Sequence, residues 1–232
     1  VALDSTTSDS AGNYKLNLGD YSGPVLLEAT GGSYKDEATG NSVALTSTLR
    51  SAIANVIPNK SGTTQIKSAS VTPITEAAVQ NATAGAGGLT AVNIQTANDI
   101  VQTHLGFDPV TTQPADATSL ASATASTAAK AYAVLLGTVS QYIKDNPSES
   151  LDNATNVFAN ALKAGGSGFA GDALITAAGN NFGANANNQT GVSSMAALQT
   201  LTATLATIDD EDPVSQRTVA AALFKDDPSI SG

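Results

Sequence analysis

Near the start of the chain, apolar and polar side chains alternate with a period of two. Tyr14-Lys15-Leu16-Asn17-Leu18 and Val25-Leu26-Leu27-Glu28-Ala29 are therefore expected as strands, and Val1-Ala2-Leu3 as the tail of an earlier one. Asp9-Ser10-Ala11-Gly12-Asn13 and Gly19-Asp20-Tyr21-Ser22-Gly23-Pro24 are the turns between them. Further on, Leu49–Ile57 and Thr64–Val71 flank the turn signal Pro58-Asn59-Lys60-Ser61-Gly62, which predicts a β-hairpin. Leu45, Leu49, Ile53 and Ile57 also fit a helical stripe, so the pattern leaves that alternative open.

At Thr72 the period lengthens to that of a helix. Thr72 can cap, Pro73 suits the first helical position, and the helix should run to about Thr83. Thr90 should cap a second helix through Ile94, Ala97, Val101 and Leu105, stopped by Gly106. Phe107–Asp116 reads as a loop containing prolines, and Ser119–Asp145 as the longest helix, ended by Asn146-Pro147. Ser148 is expected to cap a helix through Leu151, Ala154, Phe158 and Leu162, closed by Gly165-Gly166. Phe169–Ala178 should be a short helix and Asn180–Thr190 a polar loop. Val192, Met195, Leu198, Leu201, Leu205 and Ile208 form an amphipathic stripe. Asp212 before Pro213 should start a last helix, through Val219 and Leu223, that ends near Lys225. The expected fold class is α+β: a small, partial β-sandwich over residues 1–71, then an Ala-rich, all-helical domain over 72–232.

Composition narrows what such a fold could do. There is no Cys, so sulfur-based metal sites, disulfides and thiol nucleophiles are absent. A net charge of -10, with 20 acids against 10 bases, disfavours a phosphate backbone as partner, so no nucleic acid is expected. No apolar run reaches the roughly 18 residues that a membrane span needs. Charged residues are only 13% of the chain, and the Thr, Ser, Ala and Asn that replace them suit an extracellular or cell-surface protein. Val1–Ser10 has neither a charged nor an apolar leader region. Any export signal or lipid anchor is expected on a preceding segment.

Thr7-Ser8-Asp9-Ser10-Ala11-Gly12-Asn13-Tyr14-Lys15-Leu16, followed by Gly23–Tyr34, resembles the carboxypeptidase-regulatory-like β-sandwich. Prealbumin-like and Cna-B modules share its T-D-x-x-G-x-Y pattern. The turn has its own physical logic: Asp9 can accept backbone N–H bonds, Gly12 can take positive φ, and Tyr14 can return to the core. Asp36-Glu37-Ala38-Thr39-Gly40, Leu49-Arg50, Val71–Glu76 and Thr111-Thr112-Gln113-Pro114 extend the likeness. They resemble bacterial Gram-negative surface lipoproteins in which such a sandwich precedes an Ala-rich helical region of no assigned activity. The resemblance implies further strands ahead of the turn, which are expected to be absent, cleaved or supplied from elsewhere. It also implies a Glu at the position of Glu28 that in Cna-B-like modules promotes a Lys–Asn isopeptide bond. The partner Lys belongs to an earlier strand, so the expectation here is a plain solvent-facing Glu28.

Few residues carry candidate chemistry. His104 is the one histidine, with no G-x-S-x-G elbow in the sequence, and is expected to satisfy the end of its helix. Asp209, Asp210, Glu211 and Asp212 are weak calcium candidates, because one acidic run cannot complete a shell of six or more oxygens. They read instead as a solvated turn, and no cofactor or metal is expected. N-x-S/T sequons stand at Asn59, Asn81, Asn153 and Asn188, as chance allows in so Asn-, Ser- and Thr-rich a chain. Tyr21 and Tyr34 are the few aromatics that could stack on a sugar.

Without a nucleophile–base pair, an enzyme is not expected. The expected function is that of an extracellular structural protein, a filament or matrix subunit assembling as a homo-oligomer by strand exchange. A non-catalytic surface module binding carbohydrate or protein is the alternative. The expected assembly edge consists of Val1, Leu3, Leu16, Leu18, Val25 and Leu27, whose apolar face needs a facing layer.

Overall fold

The period change at Thr72 coincides with a change of architecture. In a computed structural model, which describes residues 2–57 and 68–211 and no side chain of 208–211, the fold is α+β. Four short strands come first: β1 (Gly23–Ala29), β2 (Ser33–Lys35), β3 (Ser42–Ala44) and β4 (Leu49–Val56). β1 and β4 pair antiparallel, with Val25 opposite Ile53, Leu26 opposite Ala52, Leu27 opposite Ser51 and Glu28 opposite Arg50. β2 and β3 form a separate antiparallel hairpin in the connection between them.

The helices follow from their caps. In α1 (Pro73–Ala84) the Thr72 side chain accepts the Thr75 N–H and the Thr75 side chain accepts the Thr72 N–H, a reciprocal capping box. Thr90 caps α2 (Ala91–Leu105), which ends where Gly106 turns left-handed at φ 72°. Ser126 caps α3 (Thr127–Asp145), and Ser150 caps α4 (Leu151–Ala161). Asp172 accepts the N–H groups of Leu174 and Ile175 at the start of α5 (Ala173–Gly183), and α6 (Met195–Glu211) follows.

The centre of the core is α3, where five consecutive residues, Ala131–Leu135, are buried. A helix buried all round must be enclosed by others. Ile74 of α1, Phe158 of α4, Ile175 and Phe182 of α5, and Leu198 of α6 belong to the same cluster. Small residues set how closely these helices cross. A Cβ on Gly137 of α3 would lie 2.1 Å from Cζ of Phe182. The β1–β4 pair is attached through β4, whose Ala52 packs with Val79 and Ala82 of α1 and Ile94 and Ala97 of α2.

Polar contacts complete that joint. Arg50 of β4 grips Glu76 of α1 with two bonds, Nε to Oε2 at 2.9 Å and Nη2 to Oε1 at 2.5 Å. The Thr75 hydroxyl donates to the Arg50 carbonyl at 2.9 Å, and Nδ2 of Asn98 to the Ala52 carbonyl at 3.0 Å.

Several expectations change. Tyr14–Leu18 forms no ladder: the Asn17 N–H is spent on Oδ2 of Asp4, and Pro24 brings no N–H to the neighbouring strand. Ala2 and Leu3 are exposed and outside any strand, and Val1 lies outside the described residues. Leu49–Val56 is a strand and not a helix, but its partner is β1. Of the segment expected to pair with it, Thr64–Lys67 lies outside the described residues, and Ser70 bonds instead to the Val110 carbonyl. Ser119–Asp145 is split, since Leu120–Thr124 forms a 3-10 turn and α3 starts anew at the Ser126 cap. The cap of α4 is Ser150 rather than Ser148. α5 begins four residues later than expected and takes in Asn180–Gly183 of the expected loop, because Asp172 is the better cap and Phe182 reaches the core. The helix expected after Asp212 lies outside the described residues.

The crossing of α3 and α5 supplies a test. Gly137→Ala should destabilise the protein by about 1–2 kcal/mol, since overpacking against Phe182 outweighs the better helix propensity of Ala. A urea titration followed by circular dichroism would show it as a lower midpoint at unchanged slope.

Candidate functional site, an open strand edge

The Asp9 turn forms as its residues dictate. Asp9 Oδ1 accepts the N–H groups of Asn13 and Ala11, both at 2.9 Å, while Gly12 sits at φ 81°. Those bonds, that from Asn13 foremost, hold the Asp9 carboxyl below the usual carboxylate range. Tyr14 does not enter the core: it stays 37% exposed, and its hydroxyl donates to the Ala69 carbonyl. Ala2–Leu18 is thus an arm without regular secondary structure, in which Leu16 and Leu18 are half-buried and Lys15 and Asn17 exposed.

Beside this arm lies the β1–β4 pair, whose two outer edges differ. On β4 the carbonyls of Arg50 and Ala52 are taken by Thr75 and Asn98. Carbonyls alternate in direction along a strand, so Ser51 and Ile53 turn theirs toward β1 and pair with Leu27 and Val25. The backbone groups of Pro24, Leu26 and Glu28 are left on the outer edge of β1. Pro24 has no N–H to offer, as suits an edge position, and its carbonyl accepts the Tyr21 hydroxyl at 2.7 Å. Among the described residues, no other contact covers the N–H and C=O of Leu26 or Glu28. Leu26 itself is 38% exposed.

The expected edge residues divide accordingly. Val25 and Leu27 are buried within the chain, so their face is already covered and only the hydrogen-bonding edge stays open. Leu3 is exposed and Leu16 and Leu18 half-buried, while Val1 lies outside the described residues. Sequence reasoning missed Leu26 and Pro24, although a proline inside a strand pattern is itself a sign of an outer edge.

Other candidates carry less. Glu28 is exposed on the strand, across from Arg50. Asp209, Asp210 and Glu211 fall in the last turn of α6 with undescribed side chains, and Asp212 lies outside the described residues. No group of three or more His, Asp or Glu able to hold a metal occurs among the described residues. Likewise, no described helix is long and apolar enough to cross a membrane. Asn81 uses its amide on the Ala159 carbonyl at 3.1 Å, and Asn188 uses its own on Val192 at 2.8 Å. Both are therefore structural, Asn153 is exposed, and Asn59 lies outside the described residues. Tyr34 is half-buried, and Tyr21 is also half-buried with its hydroxyl committed to Pro24.

His104 occupies the last turn of α2, half-buried, and lines an open groove of about 480 Å³ with Thr103, Ser167, Gln199 and Thr202. The backbone of Gly168 approaches so closely that a Cβ there would sit 3.2 Å from the histidine Nδ1. Among the described residues, no carboxylate lines the groove to orient the ring as a base. His104→Ala should therefore leave the circular dichroism spectrum and the solution particle size unchanged.

The β2–β3 hairpin makes a contact that the pattern did not foretell. Its tip inserts Ala38, 1% exposed, between α3 and the segment after α5. The Ala38 carbonyl accepts Nδ2 of Asn185 at 2.8 Å, Nδ2 of Asn187 at 3.1 Å and Nζ of Lys144 at 3.2 Å. Next to it the Ser140 hydroxyl donates to Oε2 of Glu37 at 2.6 Å. Burial pushes the Glu37 carboxyl up from its usual range, against the bond from Ser140. In the folded chain Glu37 thus keeps its proton to higher pH than in the unfolded chain. Its stabilising effect is complete below about pH 4 and is lost as pH rises through the raised folded value. Glu37→Gln keeps an acceptor for Ser140 and removes the charge. That variant should exceed the parent in stability at pH 7, with the gain vanishing near pH 4, as urea titrations at the two pH values would show.

Comparison with family models, with curated proteins and with solved structures finds no match.

Proposed function

We propose that this protein is an extracellular structural or cell-surface protein of bacterial type that self-assembles by β-strand complementation, with the outer edge of β1 as the acceptor. The observation that carries this reading is the asymmetry of the β1–β4 pair. The β4 edge is closed by Thr75 and Asn98, whereas among the described residues nothing pairs with the N–H and C=O of Leu26 and Glu28 on β1. An added strand gains main-chain hydrogen bonds there without disturbing the core. Sparse charge, and a His104 groove that shows no acid–base pair among the described residues, fit a structural role better than a catalytic one. A carbohydrate-binding reading gains less support, since the Tyr21 hydroxyl is committed and Tyr34 is half-buried.

Particle size and edge chemistry test this together. The parent protein should form particles larger than one chain at micromolar concentration, visible by light scattering and electron microscopy. Leu26→Pro removes an outward N–H and should leave a folded monomer, its circular dichroism unchanged. A parent that stays a monodisperse monomer would overturn the assembly reading.

A further inference from the structure

Resting on that reading, we infer that the strand added to β1 is Tyr14–Leu18 of a second copy, antiparallel, with Lys15 opposite Glu28 and Leu18 opposite Val25. Three observations converge on this segment and register. Tyr14–Leu18 alternates as a strand should, yet it has no ladder among the described residues and lies in an arm without regular structure. Its Leu16 and Leu18 are only half-buried, so they gain by packing beside a covered apolar row. Lys15, exposed, is the one cation of the segment, and Glu28 is the one carboxylate of β1.

One register serves all of these at once. With Lys15 opposite Glu28, Leu16 falls beside Leu27, Asn17 beside Leu26, and Leu18 beside Val25. Leu16 and Leu18 then extend the row of Val25 and Leu27, while Lys15 and Asn17 share the face of Glu28 and Leu26. A shift by one residue would turn Leu16 and Leu18 to the opposite face and part the charges. Leu18 and Val25 are joined by only Gly19–Pro24, so the same register could in principle close within one chain. In the structure it does not. The Tyr21 N–H bonds to the Leu18 carbonyl at 3.1 Å, and the Tyr21 hydroxyl occupies the Pro24 carbonyl at the mouth of the edge. Exchange between copies turns the Asn17 N–H from Asp4 to the Leu26 carbonyl and releases the Tyr14 hydroxyl from Ala69, and it propagates head to tail.

Cysteine cross-linking decides both donor and register, because the chain has no cysteine of its own. Asn17→Cys protein mixed with Leu26→Cys protein should give a disulfide-linked heterodimer under mild oxidation, the pair lying within the roughly 4.4–6.8 Å Cα reach of a disulfide. Asn17→Cys with Glu28→Cys, two residues out of register on the same face at about 7–8 Å, should not. Lys15→Glu should weaken assembly about two- to fivefold, and Lys15→Glu combined with Glu28→Lys should restore it. Assembly by light scattering without the heterodimer, or with the off-register pair favoured, would overturn this donor and register while leaving the assembly reading intact. Cross-linked monomer alone from the Asn17→Cys/Leu26→Cys double variant would show closure within one chain and overturn the exchange. Absence of any oligomer would overturn both.

Discussion

A phenol hydroxyl at the middle of the bundle holds the two parts of the chain in register. Tyr132, fully buried in α3, donates to the Pro109 carbonyl at 3.1 Å and shares a 2.5 Å hydrogen bond with the Thr72 hydroxyl. Its burial pushes the phenol far above its ordinary pKa, so it stays a neutral donor. Thr72 is at the same time the cap of α1. The next link is Thr75, which completes the capping box and reaches the Arg50 carbonyl, and Glu76 then grips the Arg50 guanidinium. One connected set of polar contacts thus runs from α3 through the first turn of α1 to β4.

That set determines which strand edge is exposed. Because α1 and α2 bring Thr75 and Asn98 against β4, its carbonyls are satisfied and its edge is closed to any other strand. β1 is thereby turned outward. The ion pair also resists being opened, since Glu76 is nearly fully buried and would be left as an uncompensated charge. Ser51, fully buried on the opposite face, carries the one buried side-chain polar atom without a partner among the described residues. Its neighbours across the ladder are the covered residues Val25 and Leu27, so the cost of that hydroxyl is carried at the centre of the small sheet.

The helical part is held by a different balance. With so many Ala and Gly positions, each contact removes little area from water, and stability depends on how closely the axes approach. At Gly137 against Phe182 and Gly179 against Met195 a large side chain of one helix fills the space left by the missing Cβ of the other. The β2–β3 hairpin is fixed to this bundle by the Ala38 carbonyl with its three donors and by the Ser140–Glu37 bond, which anchor the long connection between β1 and β4.

Much of this was legible in the residue pattern. The α+β class, the switch at Thr72–Pro73, the caps of α1 and α2, the Gly106 stop and the α6 stripe all rest on interactions between residues a few positions apart. Local sequence suffices wherever the partner is local. Strand pairing is not of that kind: Leu49–Val56 was recognisable as apolar, but its pairing with β1 and its packing on α1 and α2 join segments far apart along the chain. The same holds for Tyr14–Leu18, whose alternation is real but which forms no ladder among the described residues. The insertion of Ala38 and the desolvation of Glu37 likewise come from residues more than a hundred positions away. Period and capping chemistry are encoded by neighbours in sequence. Which edge stays open, and which carboxyl loses its water, is decided only when the helices close around α3.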